Sequence, residues 1–222
     1  MRSIVFGVVS MAMGLCTTLL VAPAMAQTPS VPERSAGWND ATKITALSAL
    51  GVQLLMPRVF YSDPEVTVGW KARWHVSVLA PSMTLATLAL LNEQVLKDEL
   101  AGHRPGCSEE TQGGPGCESY GMLSTPTFTA FSALGQGLGI FLVDTSKWSD
   151  GRFNVGAFAG NVAVPAVLSV VTGIGRTAGD WEEPAQVWGT AGIGLALGMG
   201  IGALYASAQR PECGYTGGLI CW

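Results

Sequence analysis

The chain has 222 residues, of which 48% are apolar and only 13% are charged, with a formal net charge of −4. Because an ordinary soluble domain carries about 25% charged residues, this composition predicts a membrane protein of a single domain. The acidic balance leaves no dense stripe of Lys and Arg that could neutralise phosphodiesters, so we expect no nucleic-acid partner.

The N-terminus has the pattern of a secretory signal. Met1-Arg2-Ser3 precedes an apolar run over residues 4–21, and Ala24-Met25-Ala26 forms a small-x-small cleavage site before Gln27. This order predicts a signal peptide over residues 1–26 and an exported N-terminal tail over residues 27–41. The alternative is an uncleaved first spanning helix, and cleavage is favoured because a polar, proline-bearing stretch follows directly.

Five further apolar runs approach or exceed the roughly 20 residues that a helix needs to cross a bilayer. They occupy residues 44–56, 76–96, 122–143, 155–174 and 187–206. The predicted fold is therefore all-α: a helical membrane bundle of about five spans over residues 42–208, with a C-terminal tail over residues 209–222. The last run is rich in glycine, and small residues let helix backbones approach closely in lipid.

The charges between the runs predict the orientation. The connection over residues 57–74 carries Arg58, Lys71 and Arg73, and the one over residues 144–152 carries Lys147 and Arg152, so both should face the cytoplasm. The connections over residues 97–121 and 175–185 are dominated by Asp and Glu and should face outward. This pattern predicts an exported protein of the inner membrane whose outer loops face the periplasm or exterior. A soluble periplasmic bundle remains an alternative, since a buried core helix is also apolar all round.

The cysteines of the mature chain form two close pairs, Cys107 with Cys117 and Cys213 with Cys221. Export permits disulfides, and we predict a Cys107–Cys117 bridge in the outward loop. Five spans would leave Cys213 and Cys221 inside, so their state stays open. Neither pair has Cys-x-x-Cys spacing and the chain has only two histidines, so we predict no metal site and no cofactor.

Three short segments, in the two outward loops and at the start of the third run, follow an ordered pattern. Its three elements are Lys97-x6-Arg104-Pro105, Leu123-Ser124-Thr125-Pro126, and Gly175-Arg176-x5-Glu182-x3-Gln186. The order and spacing over residues 76–206 resemble the type 2 phosphatidic acid phosphatase and haloperoxidase superfamily, whose motifs are Lys-x6-Arg-Pro, Pro-Ser-Gly-His and Ser-Arg-x5-His-x3-Asp. The first motif is complete, the second keeps only its serine, and the third keeps its arginine and its spacing.

The resemblance implies roles for these residues. Lys97, Arg104, Arg176 and Ser124 would form a phosphate-binding site, as the family's basic residues do. The two catalytic histidines of the family are absent, because Pro126 stands at the position of the general acid and Glu182 at that of the nucleophile. The resemblance therefore implies a degenerate member of the superfamily.

Three functions remain open at this stage. The first is a catalytically impaired protein that at most binds phosphorylated lipid head groups. The second is an active lipid phosphatase, a phosphoric monoester or pyrophosphate hydrolase, with Glu182 as the nucleophile or His103 as the proton donor. The third is a structural membrane protein. We expect nearby basic groups to draw Glu182 into a salt bridge that fills the anion pocket. The expected partners are membrane lipids, including a phosphorylated lipid head group, and the sequence does not identify any protein partner.

Overall fold

The computed structural model describes residues 35–56, 58–61, 70–73, 79–96, 104–107, 117 and 123–209, and within them the chain is mostly helical. The helices are α1 (Ala36–Leu55), α2 (Leu79–Leu91), α3 (Thr125–Val143), α4 (Val155–Phe158), α5 (Val164–Ala178) and α6 (Pro184–Ala208). The predicted signal peptide, Cys213 and Cys221 lie outside the described residues.

Three π-helical turns lengthen these helices. Asn92–Leu96 continues α2, Asp144–Trp148 continues α3, and Ala159–Ala163 joins α4 to α5. Each of the five predicted apolar runs therefore corresponds to one helical stretch. The first begins earlier than expected, inside the predicted tail, because Ser35 caps it by accepting a hydrogen bond from the Trp38 amide at 3.4 Å.

A two-stranded antiparallel pair follows α1, formed by β1 (Arg58–Tyr61) and β2 (Trp70–Arg73). The register places Arg58 opposite Arg73 and Tyr61 opposite Trp70. The sequence predicted only a connection between two helices in this region and no strands. The pairing gives hydrogen-bond partners to backbone groups that no helix satisfies.

Three helical stretches are long and apolar enough to cross a membrane, namely Thr125–Trp148, Val155–Ala178 and Pro184–Ala208. Among the described residues, α1 and α2 do not reach the same combination of length and hydropathy. The predicted membrane character is thus confirmed at the level of three candidate spans. The count of five spans stays a proposal.

Helix α3 is the centre of the bundle and contacts all the other long helices, most extensively α6. Its span is 72% buried, whereas the spans that contain α5 and α6 are each 33% buried. Glycines make the contact with α6 close. A Cβ atom at Gly198 of α6 would lie 2.1 Å from the carbonyl oxygen of Ser132 in α3, and one at Gly135 of α3 would lie 2.2 Å from that of Leu195.

The distribution of polarity is the reverse of that in a water-soluble bundle. Gln53, Gln136 and Gln209 are among the largest fully buried side chains, whereas many large aliphatic side chains are exposed. Polar groups join the helices: the hydroxyls of Thr45 and Thr172 lie 2.7 Å apart, and the Gln136 amide donates to Ser82 at 2.8 Å. Water would favour burial of the aliphatic residues, so this arrangement favours a lipid environment over the soluble alternative.

Candidate functional site

Two of the predicted phosphate ligands converge on one indole ring. The guanidinium carbon of Arg104 lies 5.2 Å from the centroid of Trp181, and that of Arg176 lies 5.5 Å from the same centroid. Arg104 comes from the segment before α3 and Arg176 from the last turn of α5. We call this end of the bundle the Arg176 end. The tertiary structure therefore brings together two arginines that the motif pattern assigned to one site.

Arg176 uses all three of its nitrogens within the protein. Its Nε and Nη2 donate to Glu182 Oε1 at 3.2 and 2.5 Å, and its Nη1 donates to Asn39 Oδ1 of α1 at 2.9 Å. The side chains of Arg176 and Glu182 are 4% and 2% exposed. Glu182 therefore occupies the guanidinium that a phosphate would bind in the family, and the salt bridge expected from the sequence is present.

The loop between α5 and α6 places Glu182 and Trp181. Asp180 adopts a positive φ of 55°, and the next amide, that of Trp181, donates back to the Arg176 carbonyl at 3.1 Å. The Trp181 indole Nε1 donates to the Ser35 carbonyl at 2.9 Å, which ties the loop to the start of α1. Sequence reasoning did not assign Trp181 or Asn39 to the site, and the only available signal was the position of Trp181 next to Glu182.

The second oxygen of Glu182 has a different environment. Oε2 is buried, and no donor hydrogen-bonds to it in the part of the chain that the structure describes. A buried acceptor that lacks a hydrogen bond is destabilising by about 1–3 kcal/mol, and more when it is charged. This oxygen is therefore a point where a further donor would bind favourably.

Ser124 is not brought to the arginines by any described contact. Its hydroxyl donates to Thr127 Oγ1 at 2.8 Å and accepts from the Thr127 amide at 3.3 Å, and the residue is fully buried. Ser124 is thus the N-cap of α3, and Pro126 lies in the first turn. A hydroxyl used in this way stabilises the helix terminus, and its predicted role as a phosphate ligand stays untested.

Close packing against α1 explains why glycine, and no larger residue, occupies position 175. A Cβ atom at this position would lie 2.6 Å from Thr42 Cγ2 and 2.8 Å from Trp38 Cε3, both in α1. We expect Gly175→Ser to lower the free energy of unfolding by about 1–3 kcal/mol, because the side chain would force α1 away from α5. Gly189→Ser is the matched control, since nothing lies within 4 Å of a Cβ there. Denaturant titrations in detergent micelles should separate the two variants, and equal stability would contradict the close packing.

The remaining predicted site residues are only partly described. Cys107 and Cys117 form the predicted disulfide, with Cα atoms 5.9 Å apart, and the Cys107 amide donates to the Arg104 carbonyl at 2.9 Å. The bridge therefore constrains the turn that carries Arg104. Lys97 and His103 lie outside the described residues. Within the described part of the chain, no group of three His, Cys, Asp or Glu side chains could hold a metal ion.

A second buried ion pair, absent from the sequence analysis, lies at the opposite end of α1. Arg58 pairs with Asp144: its Nε donates to Oδ2 at 3.2 Å and its Nη2 to Oδ1. The guanidinium also donates to Gln209 Oε1 at 2.8 Å and to the Ala206 carbonyl at 3.2 Å. This Arg58 end thus joins the C-terminus of α6 to β1 and to the π turn after α3. The cation also complements the negative end of the α6 dipole.

Comparison with models of protein families, with curated proteins and with solved structures gives no match to this chain. The resemblance to the phosphatase superfamily therefore rests on the three sequence motifs. The geometry adds two facts to them: Arg104 and Arg176 share Trp181, and Glu182 is paired with Arg176.

Proposed function

We propose that this chain is a degenerate, non-catalytic relative of the type 2 phosphatidic acid phosphatases that binds phosphorylated lipid head groups at the Arg176 end. The observation that carries the proposal is the convergence of Arg104 and Arg176 on Trp181, with Glu182 held against Arg176. Arginine is suited to phosphate because its planar fork presents several N–H donors. We assign the head-group phosphate mainly to Arg104 because it is half-buried and open to solvent on one side, whereas Arg176 is buried.

The absence of catalysis is supported by the state of the residue at the nucleophile position. Attack on phosphorus requires a nucleophilic carboxylate. The charge of Glu182 is instead held in an ion pair with Arg176, whose Nε and Nη2 both donate to Oε1, and this pairing lowers its nucleophilicity. Pro126, at the position of the general acid, carries no proton to donate. A second candidate function, an active lipid phosphatase, is favoured by no contact of the described residues.

Five membrane spans belong to the same proposal. Helices α1 and α2 expose aliphatic side chains as α5 and α6 do, for example Leu47 at 66% and Leu90 at 64%. Exposure of such surfaces to water is unfavourable, whereas contact with lipid tails, which are equally apolar, is not. Helix α1 has 20 residues, which corresponds to about 30 Å, close to the thickness of the hydrocarbon core. Its first turn contacts Arg176 through Asn39, and the strand that follows it begins with Arg58.

The proposed orientation places the Arg176 end on the exported side of the inner membrane. The Cys107–Cys117 disulfide supports this assignment, because disulfides persist in oxidising compartments and are rare in the cytosol. The Arg58 end would then face the cytoplasm, where positively charged connections are enriched. An exported location agrees with the signal peptide predicted over residues 1–26.

The catalytic part of the proposal is tested by a hydrolysis assay. We expect purified protein in detergent to release phosphate from phosphatidic acid or undecaprenyl pyrophosphate no faster than the Arg176→Ala variant does. The physical reason is that neither a nucleophile nor a general acid is available. Turnover by the wild-type protein that Arg176→Ala abolishes would overturn the non-catalytic assignment.

The binding part of the proposal is tested separately. We expect Arg104→Ala to weaken the binding of short-chain phospholipids in detergent by about tenfold, since hydrogen bonds to charged groups contribute about 1.5–3 kcal/mol. Arg152→Ala removes the same charge from an exposed residue at the Arg58 end and serves as the control. Calorimetric titration measures both variants. Equal affinity of both would indicate that the bundle end is structural and holds no head group.

A further inference from the structure

We propose that the head group bound at the Arg176 end is a zwitterionic, amine-bearing phosphodiester of the phosphoethanolamine type. In this arrangement Arg104 binds the phosphate and Glu182 Oε2 accepts a hydrogen bond from the ammonium group. The inference rests on the proposed function and specifies the class of lipid for the same site.

The charges of the described residues do not suit a phosphomonoester. The loop between α5 and α6 carries Asp180, Glu182 and Glu183, and two arginines, Arg104 and Arg176, contact the same loop through Trp181. Three acidic and two basic groups leave this cluster with a slight excess of negative charge. Against these described groups, a phosphomonoester, which carries about −1.5 to −2 charges, gains less than a ligand that carries one charge of each sign. A neutral zwitterion can match groups of both signs.

The oxygen Oε2 of Glu182 indicates which chemical group the ligand should carry at this point, namely a hydrogen-bond donor. Glu182 is 3% exposed, and within the described part of the chain its Oε2 accepts no hydrogen bond, although Oε1 accepts two. A phosphate would only add acceptors at this point. An ammonium N–H supplies both a donor and a positive charge, and hydrogen bonds between ionised groups are about twice as strong as neutral ones.

The surroundings of Glu182 fit a cation in a second way. Trp181, its neighbour in the loop, is half-buried and already packs against two guanidinium groups. An indole face attracts an ammonium ion as well as a guanidinium. Arg104 is also only half-buried, so a head group at the membrane surface approaches Arg104 and Trp181 first, and the ammonium then reaches Glu182 beside them.

A methylation series tests the inference on the wild-type protein. Short-chain phosphatidylethanolamine, its N,N-dimethyl derivative and phosphatidylcholine share the phosphate and the positive charge but carry three, one and no N–H donors. We expect the first two to bind with affinities within about threefold of each other and phosphatidylcholine to bind about tenfold more weakly. Equal binding of phosphatidylcholine, or tighter binding of phosphatidic acid, would overturn the inference.

A variant identifies the acceptor. Glu182→Gln should bring the affinity for phosphatidylethanolamine down to that for phosphatidylcholine, because the carboxylate that receives the ammonium is gone. Asp40→Asn, which removes the same charge from an exposed residue of α1, should keep the preference. Thermal unfolding of both variants checks that they are folded, and the methylation series decides the inference even if Glu182→Gln does not fold. A preference that survives in folded Glu182→Gln would refute the assigned role of Oε2.

The outcomes separate the inference from the proposed function. If no phospholipid binds, and Arg104→Ala changes nothing, the head-group site itself is disproved and the inference with it. If all the phospholipids bind equally and Arg104→Ala weakens them all, the proposed function stands and the zwitterion preference is wrong. If the Glu182→Gln variant binds phosphatidic acid and the wild-type protein does not, the Glu182 carboxylate competes with phosphate for the arginines. The inference is wrong in that case too.

Discussion

Asp144→Asn should lower the free energy of unfolding by about 3–5 kcal/mol, the largest effect that we expect from a single substitution in this chain. The change leaves the guanidinium of Arg58 buried without a counter-charge, and the two side chains are only 3% and 8% exposed. Arg58 would keep its bonds to Gln209 and Ala206, but these neutral acceptors do not replace a carboxylate. Unfolding followed by circular dichroism as the SDS fraction of mixed micelles rises measures the loss.

The control for this prediction is Asp150→Asn, which removes the same charge from an exposed residue of the following turn. Its effect should stay within about 0.5 kcal/mol. The double variant Arg58→Met with Asp144→Leu should regain most of the loss, because apolar residues of similar size often replace a buried ion pair without loss of stability. Equal stability of Asp144→Asn and Asp150→Asn would mean that the ion pair contributes nothing.

The second large effect is expected at the contact between α3 and α6. Gly198→Ala should lower the free energy of unfolding by about 1–3 kcal/mol, because its Cβ would lie 2.1 Å from the carbonyl oxygen of Ser132. A backbone carbonyl oxygen cannot relieve the clash by a change of rotamer, as a flexible side chain can. The helices would have to separate over a contact that α6 also makes through Gly194 and Gly202, where a Cβ would meet α3 backbone oxygens at 2.9 and 2.3 Å.

Gly200→Ala is the control in the same helix. No atom lies within 4 Å of a Cβ at this position, so alanine should leave stability unchanged or raise it by up to about 1 kcal/mol through its higher helix propensity. The same SDS titration compares the two variants. Two equally stable alanine variants would show that α3 and α6 are not in close contact through this glycine face.

The sequence predicted the helices better than it predicted the contacts between them. Each apolar run became a helical stretch because run length and composition are local properties. The glycines of the last run could not be sorted in the same way. All looked alike as small residues, yet Gly198 faces α3 and Gly200 faces open space, since only the rotation of the helix in the bundle decides which face is covered.

The residues of the candidate site were also only partly predictable from the sequence. Motif spacing assigned Arg104 and Arg176 to one proposed site, and the basic groups of that site were expected to draw Glu182 into a salt bridge, which Arg176 forms. The positions of Trp181 and Asn39 could not be predicted, because they contact the arginines only after α1, α5 and the disulfide-bridged segment have come together. The ion pair of Arg58 with Asp144 could not be predicted either, because the two residues lie in separate connections that the sequence assigned only to the cytoplasmic side.

By itself, the sequence determined that this chain is helical and apolar, that two cysteines in one loop can form a bridge, and that Pro126 and Glu182 stand where the superfamily it resembles has catalytic histidines. These properties follow from composition, from the period of the apolar residues and from residue identity. Only the tertiary structure decided which basic group pairs with Glu182, namely the guanidinium of Arg176, and that the oxygen Oε2 lacks a donor among the described residues. The reason is physical: charge and hydrogen-bond satisfaction depend on distances across the bundle, and those distances are set when the glycine and alanine faces of the helices pack.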